Sequence, residues 1–112
     1  MTWTEARKKI ETSLKVNNDS IDKKSIFRNV RAANDKGFSI GKGQNQAVSI
    51  PWTMLETIFI SSKRKGYYDN SVFKEKFEDK LKSTSCYVRI VGNIFCVAGI
   101  MKIEGNKFIF IN

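Results

Sequence analysis

The chain has no histidine, a single proline and two cysteines among its 112 residues. Without histidine the commonest general base and metal ligand is missing. Cys86 and Cys96 have neither the spacing nor the partners of a zinc site. These absences argue against an enzyme and against a bound metal or cofactor. The two thiols are expected to be buried and reduced: on a helix they would stand about 15 Å apart along the axis, and in a hairpinned sheet they would point to opposite faces. Long apolar runs are also lacking. The longest, Ile94 to Met101, falls well short of the roughly 18 residues a membrane span needs, and Met1 to Lys8 lacks the apolar core of a secretory signal. A cytoplasmic protein with no membrane partner is the expectation. Acidic residues are few, 11 against 20 Lys and Arg, which gives a net charge of +9. That surplus favours a polyanionic partner, nucleic acid above all.

What is present is a globular chain, 41% hydrophobic with eight Phe, of a length that suits one domain over 1–112. Its patterning predicts an α+β fold. Residues 1–50 read as a helix followed by short strands, and residues 51–112 as helices with a terminal hairpin. Trp3, Ala6, Ile10 and Leu14 recur at helical spacing over about Trp3 to Lys15, and Thr2 with Glu5 has the spacing of a capping box. The polar stretch Val16 to Lys24 carries the turn chemistry that ends this helix. A hairpin follows, with strands at Ser25 to Val30 and Phe38 to Gly41 around Asn34-Asp35-Lys36-Gly37, then a loop over 41–46 and a strand from Ala47 to Ile50. The loop Gly41-Lys42-Gly43 sets backbone amides beside a lysine, yet its spacing is not that of a nucleotide-binding loop.

Pro51 marks the start of a second helix, whose Met54, Leu55, Ile58 and Phe59 form one apolar stripe. It ends at Lys63-Arg64-Lys65-Gly66, cations that suit a helix C-terminus and exceed what capping requires, so they are candidate phosphate contacts. Tyr67-Tyr68 reads as a short strand. A third helix capped by Asn70 or Ser71 runs to about Lys82, with Phe73, Phe77 and Leu81 inward and Glu78 paired to Lys82. Glu78-Asp79-Lys80, with Asp69 upstream, has the acidic-then-lysine order of metal-dependent nucleases. A helix of 3.6-residue period scatters those groups instead of converging them on one metal.

The last thirty residues admit two readings that divide at Gly92-Asn93. In one, a helix runs from Ser85 to Ala98 and a hairpin turns at Gly105-Asn106. The order helix, short strand, helix, helix, hairpin over about residues 51–112, with Val88, Phe95, Ala98-Gly99-Ile100 and Lys102 to Phe108, then resembles the winged helix-turn-helix of DNA-binding domains. The resemblance implies that the helix from Ser85 enters the major groove presenting Ser85 and Arg89, and that Lys102 and Lys107 on the wing meet phosphates. Two features oppose it. That helix would expose Ile90, Ile94 and Val97, and an interior Gly92 costs about 1 kcal/mol relative to Ala. In the other reading both Gly-Asn pairs are hairpin loops of a three-stranded meander, with Glu104 opposite Lys107. An exposed apolar face of Tyr87, Val91, Ile94, Ile100 and Ile109 would then serve a protein partner or a homodimer. The expected function is a small non-enzymatic DNA-binding regulator or accessory factor, with an interaction module or inhibitor as the alternative.

Overall fold

A computed structural model describes residues 1–14, 30–41, 47–84 and 86–111. The expected turn at 16–24, the first residues of the expected strand at 25–29, the glycine loop at 42–46 and Ser85 lie outside them. The architecture is α+β. Helix α1 (Trp3–Ser13) precedes a three-stranded antiparallel sheet of β1 (Val30–Asn34), β2 (Gly37–Gly41) and β3 (Ala47–Pro51) in that order. Then follow α2 (Trp52–Lys65), β4 (Tyr67–Tyr68), α3 (Asn70–Ser83), α4 (Tyr87–Val97), β5 (Met101–Glu104) and β6 (Lys107–Phe110). The second sheet has the order β4-β6-β5, so the last strand inserts between its two partners.

Local chemistry explains most boundaries. The Thr2 hydroxyl accepts from the Glu5 amide while the Glu5 carboxylate accepts from the Thr2 amide, the reciprocal cap that the sequence predicted for α1. The turn expected at Asn34 to Gly37 is present, and the strand that leads into it is described over Val30–Asn34. Pro51 belongs to β3 and serves as the N-cap of α2 instead of its first helical residue. Helix α3 is capped by Asp69, whose carboxylate accepts from the amides of Ser71 and Val72, in place of the expected Asn70 or Ser71. The helix kinks at Phe77, which has non-helical φ and ψ. Lys82 meets Asp79 at 3.6 Å, not the Glu78 expected four residues back.

Two aromatic side chains tie the layers together. Phe59 on α2 lies 5.7 Å from Trp3 of α1, 6.3 Å from Phe95 of α4 and 5.7 Å from Phe110 of β6. Trp52 joins the first sheet to the helices: its amide donates to the Lys36 carbonyl at 2.9 Å and its indole N–H to the Asn34 carbonyl at 3.3 Å. Both hold the N-terminal elements against the helices.

Residues 87–97 are helix, which removes the meander. Gly92 and Asn93 sit inside α4, and the face Tyr87, Val91, Ile94 and Ile100 is buried instead of exposed, with Ile109 half-buried. Ile90 and Ile94 are fully buried, so the objection that α4 would expose them falls; only Val97 remains exposed. The glycine has a packing reason. A Cβ on Gly92 would lie 2.3 Å from the tip of the Phe108 ring, so β6 can seat its phenylalanine only where the helix has no side chain. The hairpin turn at Gly105-Asn106 uses the same dipeptide differently, with Gly105 at φ 66° and Glu104 opposite Lys107.

Gly92→Ala should therefore destabilise the protein by about 1 to 3 kcal/mol in urea unfolding, the usual cost of overpacking, although alanine is the better helix former by about 1 kcal/mol. In a Phe108→Leu background the same substitution should cost clearly less, and equal costs in both backgrounds would remove the ring as the reason for the glycine.

Candidate nucleic-acid interface

The predicted contact residues do not form one patch. The basic run at the end of α2 is divided by its neighbours. Lys63 donates to the carbonyl of Met1 and lies over the Phe59 ring at 5.7 Å, which turns it toward α1. Lys65 bridges to Glu75 of α3 at 3.0 Å, and that carboxylate raises the lysine's pKa while its own falls. Arg64 is exposed.

A second group gathers on the outer face of the β4-β6-β5 sheet. Lys102 stands opposite Ile109, and Ile109 opposite Tyr67, so these three share one row. The Lys107 ammonium lies 4.2 Å from the centre of the Tyr67 ring, a cation–π contact that fixes the lysine at the base of the hairpin. Tyr67 and Asp69 also favour the charged form of Lys65, after its Glu75 partner. Lys102 and Lys107 therefore belong to this sheet face, while Lys65 is held by Glu75 of α3.

Arg89 lies on the other side of Lys107. The first turn of α4 and the β5–β6 hairpin enclose a cleft of about 310 Å³. Arg89, Asn70, Asn106 and Lys107 supply its polar rim, and Val88, Ile103 and Phe108 its apolar lining. The position of α4 here is set from below. Tyr68, fully buried, donates its hydroxyl to the Val88 carbonyl at 2.8 Å, and its ring lies 5.5 Å from that of Phe108. Burial pushes the Tyr68 pKa well above its ordinary range, so it remains a donor at all physiological pH values.

The exposure of α4 is narrower than a groove-reading helix would offer. Ile90 through Phe95 are all buried, and six consecutive residues exceed one full turn, so the middle of the helix is covered on every side. Helix α1 packs on it, as does β5. What remains accessible is Arg89 with half-buried Val88 at one end and Val97 with half-buried Cys96 at the other. Both cysteines are free thiols, and burial raises Cys96 to about 11. Reading the sequence alone missed Asn70, Tyr67, Asn106 and Ile103. Asn70 was assigned to capping, and no local pattern places Tyr67 against Lys107 or brings Ile103 and Asn106 to the cleft with Arg89.

Asp69 anchors α3 at the edge of this region. Its partial burial works against ionisation, but donation from the Ser71 hydroxyl, the Val72 and Ser71 amides and the nearby Lys107 outweigh that and hold its pKa below the ordinary 3.8. A depressed pKa means that the stabilisation is fully present above the ordinary carboxylate range and is lost as pH falls through the folded value. Asp69→Ala should cost about 1 kcal/mol near neutral pH, and the gap from the native protein should close as pH drops below about 4. Parallel urea titrations at both pH values measure it, and a gap that persists at low pH would exclude the carboxylate as its source.

No family model, curated protein or solved structure matches the chain.

Proposed function

We propose that this chain is a non-enzymatic DNA-binding protein of winged-helix type, acting in the cytoplasm as a regulator or accessory factor. The observation that carries the reading is the cleft that Arg89 of α4 lines together with Asn106 and Lys107 of the β5–β6 hairpin, the Lys107 ammonium lying over the Tyr67 ring on the adjoining sheet face. The connectivity supports it: helix, two-residue strand, helix, helix and hairpin, with the sheet ordered β4-β6-β5. In such an arrangement the hairpin is the wing, and its cations meet phosphates while the tip of the adjacent helix faces a groove. Lys102 and Lys107 on the sheet and Arg89 at the cleft supply the positive charge of this end. The rival reading, a protein-interaction module, rested on an exposed apolar sheet face of which Tyr87, Val91, Ile94 and Ile100 are core and Ile109 is half-buried. Among the described residues no helix is long and apolar enough to cross a membrane.

Binding to duplex DNA should weaken linearly in log affinity against log salt. Arg89→Ala and Lys107→Ala should each lower affinity across unrelated sequences and reduce the salt slope by about 1. Fluorescence anisotropy at four or more salt concentrations measures both quantities. A slope near zero, or a slope unmoved by either substitution, would exclude this interface.

A further inference from the structure

We infer that the cleft between the α4 tip and the hairpin is a seat for one unpaired base of DNA, with Ile103 as the apolar wedge beside it. The inference rests on the DNA-binding reading above and names its substrate class: duplex DNA that carries an extrahelical or mismatched base.

Four observations lead there. Ile103 is 58% exposed, the highest value among the large hydrophobic side chains of the described residues, and it stands on the very hairpin that carries Lys107. An isolated exposed isoleucine needs no explanation by itself. This one borders a cleft whose rim holds Arg89, Lys107, Asn70 and Asn106 and no carboxylate. Apolar wedges flanked by Arg, Lys and Asn are the residue set with which proteins part base steps.

The wedge is also braced. Ile103 lies opposite Phe108 in the β5–β6 register, and the Phe108 ring is held between Gly92 of α4 and Tyr68 of β4. A side chain that must separate stacked bases has to be backed by something that does not yield, and a nine-tenths buried ring in a glycine seat provides that backing. Beyond this, the cleft is small. Its roughly 310 Å³ lies at the bottom of the range for small-molecule sites, of order 300 to 1,000 Å³. The space suits a single base, and the half-buried Val88 and buried Phe108 provide an apolar floor for its face.

The fourth observation is the enclosure of α4. With Ile90 through Phe95 buried, the helix has no row of side chains to lay along base edges. Contact with bases is left to the helix tip and the hairpin, the two elements that form the cleft.

The test compares two duplexes of one sequence, one fully paired and one with a single unpaired 2-aminopurine, bound by the full chain at fixed salt. The expected result is about tenfold tighter binding to the second duplex, because the unpaired base spares the protein the cost of unstacking. A change in 2-aminopurine fluorescence on binding should accompany it, as the base leaves the helix stack. Ile103→Asn should bring the affinity ratio to about one, and Ile103→Phe should keep it well above one. Circular dichroism and the thermal midpoint check that both variants are folded; the side chain is exposed, so neither should change. Salt-dependent binding to both duplexes with a ratio of one would overturn the base seat and leave the DNA-binding reading standing. A ratio that survives Ile103→Asn would overturn the wedge. Failure to bind either duplex at any salt concentration would overturn both readings together.

Discussion

The contact on which the C-terminal half depends is the seating of the Phe108 ring on the bare backbone of Gly92. It joins the one strand that has two partners, β6, to the most enclosed helix, α4, at a separation no side chain would permit. Tyr68 completes the lock from the third direction, its ring beside Phe108 and its hydroxyl on the Val88 carbonyl. Strand β4 has only two residues and would be a poor anchor by backbone pairing alone. The ring packing and the part-buried hydrogen bond are what hold it, and through them the first turn of α4 is positioned relative to the hairpin. The geometry of Arg89, Ile103 and Lys107 follows from that lock.

The same contact explains why the sequence was hardest to read where it mattered most. Gly-Asn occurs twice in the last thirty residues, at 92–93 and at 105–106, and in isolation each is a hairpin signal. Only the second is one. Gly105 takes the positive φ that the turn demands, whereas Gly92 is a helical residue whose missing side chain is filled by a ring sixteen positions later in the chain. Residue type spoke against the helix, because β-branched and aromatic side chains, the usual strand formers, dominate the stretch. The unbroken apolar run from Ile94 onward and the β-branched residues before it therefore looked as much like strands as like helix. Elements with one solvated face were legible: the stripe of α2, the cap of α1, the turn at Asn34 to Gly37 and the Gly105-Asn106 hairpin all stand as read.

The candidate interface was legible as a list of cations and not as a surface. Local charge said that Lys63, Arg64 and Lys65 belong together, and tertiary contacts separate them, one toward Met1 and Phe59 and another toward Glu75. Lys107 was read as a wing residue, but its partner Tyr67 comes from a strand forty positions earlier, paired through Ile109. Cross-strand neighbours of this kind follow from register, and the order β4-β6-β5 is a non-consecutive arrangement that spacing alone does not encode. Ile103 carried no signal at all, since alternation along β5 would bury it beside Met101, and it is the position near the hairpin end that leaves it exposed.

Charge distribution then bears on what kind of DNA recognition this surface can support. The net charge does not reside in the C-terminal half: residues 1–50 hold ten basic and five acidic residues, and residues 51–112 ten and six. A generic basic surface would therefore favour no particular end of the molecule. The grouping that distinguishes the hairpin end is local, a few cations around a cleft with no carboxylate on its rim. Direct readout requires side chains presented to base edges in the major groove. A helix covered from Ile90 to Phe95 presents Arg89 and little else. Under the proposed DNA-binding function, discrimination by an interface of this composition would come from the shape and deformability of the nucleic acid, with phosphates supplying the affinity. An exposed apolar residue at the edge of the Arg89 cleft is the feature through which the proposed interface would distinguish one DNA state from another.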